Sequence, residues 1–205
     1  MIEQPIGAFY GLYRFCRDAS WRCQLEFDVC RLPVKVTNIA KQAGIKVIRD
    51  SAVKELKPSE LAVSMFDGES WTIIYNDSLD TKTVRFAAAH ELGHIFLGHE
   101  YRLGEKRFVF TGRKLSFERE ADMFAVRLLA PAFVLHELKL LTPEGISAVC
   151  GMPISYARDR AKRMEVLEKR GMFYTSSIER AVYDKFKAYI DEFRAEKAAM
   201  GQNIQ

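Results

Sequence analysis

The 205-residue chain is predicted to adopt an α+β fold in which a small antiparallel or mixed sheet packs on two helices and an all-helical region follows. Three observations support this prediction: a helical pattern at the start, strand-like segments between residues 45 and 75, and helical patterns throughout the part after residue 142. Hydrophobic residues make up 48% and charged residues 28%, a balance that is ordinary for a globular protein and excludes a disordered chain.

The sequence contains no recognisable export or membrane signal. Its first residues lack the basic start and apolar stretch of a secretory signal. No apolar segment approaches the ~20 residues that a membrane helix requires. We therefore expect a cytoplasmic protein that does not contact a membrane.

The first predicted helix covers residues 6–30 and carries three of the four cysteines. Cys16, Cys23 and Cys30 repeat every seven residues, so they share one helix face but lie ~10 Å apart along the axis, too far for a disulfide. The CxxC spacing of cysteine metal clusters is missing. We expect buried thiols on a core-facing side.

A short helix and three strands are predicted next. Residues 36–40 have apolar helical spacing, and Gly44 is a typical helix stop. The strand-like segments are separated by turn or charged residues and span 45–48, 61–66 and 71–75. Asp67-Gly68, between the last two, is a hairpin signal.

Two longer helices are predicted in the middle of the chain. One covers residues 81–97 and has Asp80 as its N-cap, and the other covers 117–130 and has Ser116 as its N-cap. A short strand-like stretch at 108–110 separates them.

The first of these two helices carries the motif His90-Glu91-Leu92-Gly93-His94. Residues four apart on a helix share one face, ~5–6 Å apart at Cβ, so both imidazoles can reach one metal ion. Glu91 points ~100° around the helix, where it can take a proton from a water molecule activated by zinc. The pattern therefore predicts two zinc ligands and a general base.

The apolar composition of this helix favours the metal site over a chance pattern. The helix is apolar almost all round, so it should be buried. Buried histidines and a buried glutamate need partners, because unpaired polar groups are costly in a core. A metal supplies those partners, provided that a third ligand exists.

The third ligand is expected from the helix over 117–130, where Glu118, Glu120 and Asp122 compete. With Glu118 placed at 0° on a helical wheel, Asp122 falls at about 40°, beside the apolar face, and Glu120 falls at about 200°, opposite it. We therefore predict Glu118 as the ligand, Asp122 as the acceptor for the N–H of the His90 imidazole, and Glu120 as outward-facing.

Two further histidines are not predicted to be ligands. Some zinc peptidases place a third histidine six residues after the second one of the motif, but that position holds Glu100 here. His99 is therefore interpreted as a residue beyond the helix, near the rim of a cleft. His136 has no partner pattern and is interpreted as structural or exposed.

Several sequence segments together resemble the ImmA/IrrE family of metallopeptidases. They are RFAAAHELGH at 85–94, EREADMFA at 118–125, LLAP at 128–131, LPV at 32–34 and AGI at 43–45. The resemblance covers about residues 32–167. It implies a zincin-like fold and zinc bound by His90, His94 and a downstream glutamate, with Glu91 as general base.

The resemblance also implies a class of substrate. Members of this family typically cleave a helix-turn-helix repressor and so switch on a mobile element, a prophage or a stress response. Fewer than 40 residues follow the helix-turn-helix region here, too few for the sensor-like domain of the longer members. We therefore expect the short type of the family, associated with mobile genetic elements.

The last third of the chain is predicted to be wholly helical. The pattern is that of a helix-turn-helix: a helix starting at 142–144, a turn at 151–153 and a helix from Ser155 to about residue 169. DNA contact through 155–169 is an option, but acidic residues dilute the basic ones and the net charge of the chain is +4, so packing on the peptidase is favoured. An amphipathic helix over 176–199 closes the chain.

These elements predict three regions and one leading function. The regions are a metallopeptidase domain with a helical N-terminus (1–140), a helix-turn-helix-like segment (141–170) and a C-terminal amphipathic helix (171–205). The leading hypothesis is a zinc endopeptidase whose substrate strand pairs with an exposed sheet edge, placed at 71–75. The alternatives are a regulatory DNA- or protein-binding module with a structural zinc site, and a toxin that acts on a host protein with the same chemistry.

Overall fold

A computed structural model describes residues 6–111 and 116–202. Its elements, in chain order, are α1 (Ile6–Glu26), α2 (Val36–Gln42), β1 (Lys46–Arg49), α3 (Asp50–Val53), β2 (Ala62–Phe66), β3 (Trp71–Tyr75), α4 (Thr81–Phe96), α5 (His99–Leu103), β4 (Arg107–Phe110), α6 (Ser116–Leu129), α7 (Ala132–Glu137), α8 (Pro143–Cys150), α9 (Ile154–Arg170) and α10 (Ser177–Gln202). The predicted α+β class is therefore confirmed, with a mixed sheet and a helical C-terminal region.

The sheet has the strand order β1-β3-β2-β4. β1 runs parallel to β3, whereas β2 runs antiparallel to both β3 and β4. The predicted hairpin joins β2 and β3 through four residues, of which Gly68 adopts a φ of 109° that suits glycine. Because β3 lies between two strands, the expectation that residues 71–75 form an exposed sheet edge is wrong.

Helices α4 and α6 pack against each other beside the sheet. The Asp80 carboxylate caps α4 as predicted, accepting hydrogen bonds from the backbone N–H of Lys82 at 3.0 Å and of Thr83 at 3.1 Å. Every residue from Phe86 to His94 is buried, which confirms the expectation of a buried helix. The two helices approach closely at Gly93, where an added Cβ would lie 3.0 Å from the Cα and carbonyl oxygen of Ala121.

Helix α1 also packs on α6, so α6 contacts both α1 and α4. Cys16 and Cys23 are buried on α1, as expected, and burial raises the pKa of the Cys16 thiol to about 12. Cys30 is exposed, because α1 ends at Glu26 and the chain turns away at Asp28, whose φ is 50°. The prediction of a helix to residue 30 with three buried thiols was therefore wrong for its last turn.

The helix pair α8 and α9 packs on the rest of the chain. The Tyr156 ring stacks on Phe86 of α4 with 3.6 Å between ring centroids, and the buried guanidinium of Arg160 donates to the Ala130 carbonyl at 2.6 and 2.9 Å. Helix α9 begins at Ile154, so Ser155 lies inside its first turn and does not cap it. Among the described helices, none combines the length and apolarity needed to cross a membrane.

Three short helices have no counterpart in the sequence prediction, namely α3, α5 and α7. Each has four to six residues, less than two turns, so hydrophobic periodicity has too few positions to reveal it. Helix α5 is nevertheless important for the site, since the left-handed conformation of Gly98 (φ 65°) turns the chain and places His99 against α4.

Candidate metal centre

The two histidines of α4 point their Nε2 atoms at each other and at one carboxylate. The two Nε2 atoms lie 3.0 Å apart, and the Glu118 oxygens lie 3.2 Å from His90 Nε2 and 3.3 Å from His94 Nε2. All three side chains are buried. The structure thus brings together the three residues that the sequence indicated as metal ligands, and they form a group that can hold one ion.

The spacing of these atoms suits a tetrahedral zinc ion. Two ligand atoms that are each ~2.0–2.1 Å from zinc at a tetrahedral angle lie ~3.3 Å from each other. The three measured separations, 3.0, 3.2 and 3.3 Å, are close to that value. The donor set also fits, because two imidazoles and one carboxylate leave a fourth position open, as catalytic zinc sites do.

Helix α6 also supplies an acceptor for the outer edge of the His90 ring. Asp122 Oδ1 lies 2.9 Å from His90 Nδ1, where the helical-wheel argument expected it. A carboxylate at this position receives the Nδ1 proton, so that the Nε2 lone pair faces Glu118 and His94. Glu118 and Asp122 reach the ring together because they are one turn apart on α6.

The carboxylates and the burial of the site shift the pKa values of the two histidines in opposite directions. Burial lowers the pKa of His90, but its contacts with Asp122 and Glu118 outweigh this effect and raise the pKa to about 9. Burial dominates at His94 and lowers its pKa to about 4. For Glu118, burial is outweighed by hydrogen bonds from both histidines, which lower the pKa to about 2. Glu118 is therefore ionised at neutral pH, and its negative charge faces the two Nε2 atoms.

Glu91 is fully buried beside the ligands, and one of its two oxygens is satisfied. The Ser64 hydroxyl, on β2, donates to Glu91 Oε2 at 2.5 Å. Among the described residues, no hydrogen-bond partner exists for Oε1. Burial raises the pKa of this carboxyl to about 7. A fixed carboxylate with one free oxygen and a pKa near neutrality can both accept and return a proton.

His99 and Glu120, which were not predicted to contact the ligands, form a chain behind His94 together with Arg102. His99 is fully buried, and its Nδ1 lies 2.9 Å from His94 Nδ1. His99 Nε2 lies 3.4 Å from Glu120 Oε2, and the Arg102 guanidinium donates to both Glu120 oxygens. Burial opposes ionisation of Glu120, but the hydrogen bonds from His99 and Arg102 lower its pKa to about 2.

The chain behind His94 corrects two predictions. His99 does not lie at the rim of a cleft, and Glu120 does not face outward, since it is only 5% exposed. His99 and Arg102 of α5 contact Glu120 on the side of α6 that the helical wheel assigned to solvent, and α1 also packs on α6. His136, in contrast, is half-buried and pairs with Glu168 at 2.6 Å. It is not part of the group formed by His90, His94 and Glu118, and its pairing is consistent with a structural role.

Strand β4 forms one wall of the site. Phe108 and Phe110 are two residues apart, so their side chains lie on the same face of the strand. The Phe108 ring packs on the His94 imidazole and the Phe110 ring on the His90 imidazole, with centroid separations of 4.6 and 4.2 Å. β4 pairs with β2 on one side and has no strand partner on the other among the described residues. A pocket of about 300 Å³ lies along this side and is lined by β4 residues, Phe117 and Glu118.

Sequence reasoning missed Ser64, His99, Glu120 and Arg102. A usable signal existed for Ser64, because a serine in the apolar strand AVSMF is a buried polar group that requires a partner. No comparable signal existed for His99, because its position depends on the turn at Gly98 rather than on helical spacing.

Comparison with known proteins agrees with this geometry. The sequence model of the IrrE N-terminal-like domain, which defines the M78 peptidases, matches residues 40–147. That match covers 108 of 205 residues and includes every residue of the site described above. No curated protein matches the chain. The matched segment covers more than half of the chain and carries the clustered His90, His94 and Glu118, so the protein belongs to the M78 family of metallopeptidases.

Proposed function

We propose that the protein is a zinc-dependent endopeptidase that cleaves a helix-turn-helix repressor or a similar transcriptional regulator. The observation that carries the proposal is the convergence of His90, His94 and Glu118 on one point, with the free oxygen of Glu91 buried beside them. A purely structural zinc site has four protein ligands and no need of a base. Membership of the M78 family supports peptidase activity, and the repressor substrate is proposed in addition to it.

The ligands would be the Nε2 atoms of His90 and His94 and the carboxylate of Glu118. Zinc bound there would act as a Lewis acid and would lower the pKa of a coordinated water to ~7. Asp122 holds His90 in the tautomer that leaves its Nε2 lone pair free for the ion. The buried, apolar surroundings of α4 strengthen every charge interaction in the site.

Glu91 is proposed as the proton carrier. Its Oε1 accepts a proton from the attacking water, and the same carboxyl group later delivers that proton to the leaving amine. Ser64 holds Oε2 and so fixes the orientation of the carboxylate. A pKa raised by burial matches this double role, since the group must be deprotonated before attack and protonated after it.

The substrate backbone is proposed to pair with the outer edge of β4. The Phe66 N–H donates to the Lys106 carbonyl, so alternate residues of β4 turn their backbone groups toward β2, while Arg107 and Val109 turn theirs to the other side. An extended peptide that adds to this edge would lie along the pocket next to Glu118. This proposal replaces the edge expected at β3, which is occupied on both sides.

The helix-turn-helix-like segment, residues 141–170, is proposed to support the peptidase domain (1–140) rather than to bind DNA. Residues 171–205 are proposed as a third region, whose helix α10 packs on α1 and α7. Ala157, Ala161 and Met164 are buried, and Arg158 and Lys162 are exposed. The exposed Lys162 is paired with Asp159 at 3.8 Å, which dilutes the basic surface that DNA phosphates would require.

The test is cleavage of a repressor encoded next to this gene by zinc-loaded protein, compared with Glu91→Gln. The variant keeps the shape of the side chain and an oxygen for Ser64, so we expect it to fold and bind zinc but to cut ~10²–10⁴-fold more slowly. Equal cutting by both forms would remove Glu91 from the mechanism. Tight, strongly salt-dependent DNA binding without cutting would favour the regulatory module instead.

A further inference from the structure

The second zinc ligand is supported by an imidazole rather than by a carboxylate. His99 Nδ1 and His94 Nδ1 lie 2.9 Å apart, and both rings are fully buried. A neutral imidazole carries one proton, so a hydrogen bond between two Nδ1 atoms requires a proton on one ring nitrogen of the pair and a lone pair on the other. The question is which ring donates.

The surroundings of the two rings fix the direction. His94 Nε2 faces Glu118 and His90 Nε2, and it must keep its lone pair to bind a metal, so the proton of His94 lies on Nδ1. His99 Nδ1 is then the acceptor, and the proton of His99 lies on Nε2, directed at Glu120 Oε2 at 3.4 Å. Arg102 donates to both Glu120 oxygens and balances the charge of the carboxylate.

We propose that His99, Glu120 and Arg102 form a positioning relay that fixes the tautomer and orientation of His94 without touching the metal. This inference rests on the proposed zinc site. It assigns the two histidine ligands different supports: a carboxylate acts directly on His90, whereas a carboxylate acts on His94 through an intervening imidazole. His99 is not a fourth ligand, because it contacts the edge of the His94 ring that is opposite the ligand atom.

The relay also connects the site to the protein surface. Glu120 is 5% exposed, and its partner Arg102 has a side chain that is 43% exposed. Both His99 and Arg102 belong to the short helix α5, while Glu120 belongs to α6. The relay therefore ties the segment after the motif helix to the helix that supplies Glu118, in addition to orienting the ring.

The test compares His99→Leu with His99→Gln in zinc-affinity measurements against a chromophoric chelator. Leucine removes both hydrogen bonds, whereas glutamine offers an oxygen to accept from His94 and an N–H to donate to Glu120. We expect His99→Leu to bind Zn²⁺ ~10–100-fold more weakly than wild type, and His99→Gln to recover most of that loss. His136→Leu, which breaks the His136–Glu168 pair elsewhere, is the matched control and should leave the zinc affinity unchanged.

A spectroscopic readout separates positioning from general stability. Long-range ¹H–¹⁵N spectra of the zinc-bound protein should show a proton on Nδ1 of His94 and on Nε2 of His99. Wild-type zinc affinity in folded His99→Leu, equal losses in the leucine and glutamine variants, or a protonated Nδ1 on a neutral His99 would each overturn the relay. Failure of the wild-type protein to bind zinc would overturn the zinc site and the relay together, so the two failures are distinguishable.

Discussion

Gly93 holds α4 and α6 close together, and replacing it with alanine is expected to weaken the metal site. The added Cβ would lie 3.0 Å from the Cα and the carbonyl oxygen of Ala121, and 3.3 Å from its Cβ. Carbon atoms pack best at ~3.5–4.0 Å, so the helices must separate by roughly 0.5 Å. Two of the three atoms are backbone, so no side-chain rotation relieves the contact.

The energetic balance of this substitution has two opposing parts. Overpacking at a rigid contact costs about 1–3 kcal/mol, and alanine gains up to ~1 kcal/mol in helix propensity over glycine. We expect a net loss of about 1 kcal/mol in the free energy of unfolding, which lowers Tm by ~2–4 °C for a chain of this size. Glu118 and Asp122 flank Ala121 on α6, so their displacement should reduce zinc affinity by about tenfold or more.

Gly11→Ala is the matched control. Gly11 is also helical, it is exposed, and a Cβ there would meet nothing within 4 Å. Alanine at this position should raise Tm by ~2–4 °C through helix propensity alone and leave zinc binding unchanged. The assays are thermal unfolding of the metal-free proteins and competition for zinc with a chelator. If Gly93→Ala melts higher than wild type and binds zinc equally well, the close helix contact does not hold the ligands in place.

Asp122→Ala should weaken zinc binding ~10–100-fold, measured by chelator competition, because His90 loses its orienting acceptor. Zinc affinity should rise with pH up to about 9, since the metal must displace the proton of His90, and calorimetry in buffers of different ionisation enthalpy should detect that proton. Glu120 has a pKa of about 2, below the ordinary 4.5, so the stability that it contributes is complete above pH 4.5 and is lost as the pH falls toward 2. Urea unfolding at several pH values should show the free energies of unfolding of wild type and Glu120→Gln converging between pH 4.5 and 2. Val109→Pro removes an outward N–H of an edge strand and should lower kcat/KM for the repressor with little change in Tm, whereas unchanged kcat/KM would argue against substrate pairing at β4.

Much of the site could be predicted because its information is local in the sequence. The spacing of His90 and His94 on one helix, and of Glu118 and Asp122 on another, fixes which side chains share a face. The Asp80 cap fixes where α4 begins. These features depend on residues within two turns of each other, so the sequence alone was enough to place all four side chains on core-facing positions.

The remaining features depend on contacts between distant segments. The helical wheel left Glu120 in solvent because it assumed one packed face for α6, whereas His99 and Arg102 of α5 contact Glu120 and bury it. The position of the third strand in the sheet is set by pairing with β1 and β2, and strand order is not encoded in the pattern of a single strand. His99 is placed in the site by the turn at Gly98, so no helical or strand periodicity in the sequence indicates its position.

X-ray absorption at the zinc edge of the loaded protein tests the proposed metal centre most directly. We predict one zinc per chain with two imidazole nitrogens at ~2.0–2.1 Å and carboxylate or water oxygen at ~2.0–2.2 Å. The His90→Ala variant should lose one imidazole from that shell or fail to retain the metal. Sulfur at ~2.3 Å, or a wild-type spectrum unchanged by removal of His90, would contradict the assignment of His90, His94 and Glu118 as the ligands.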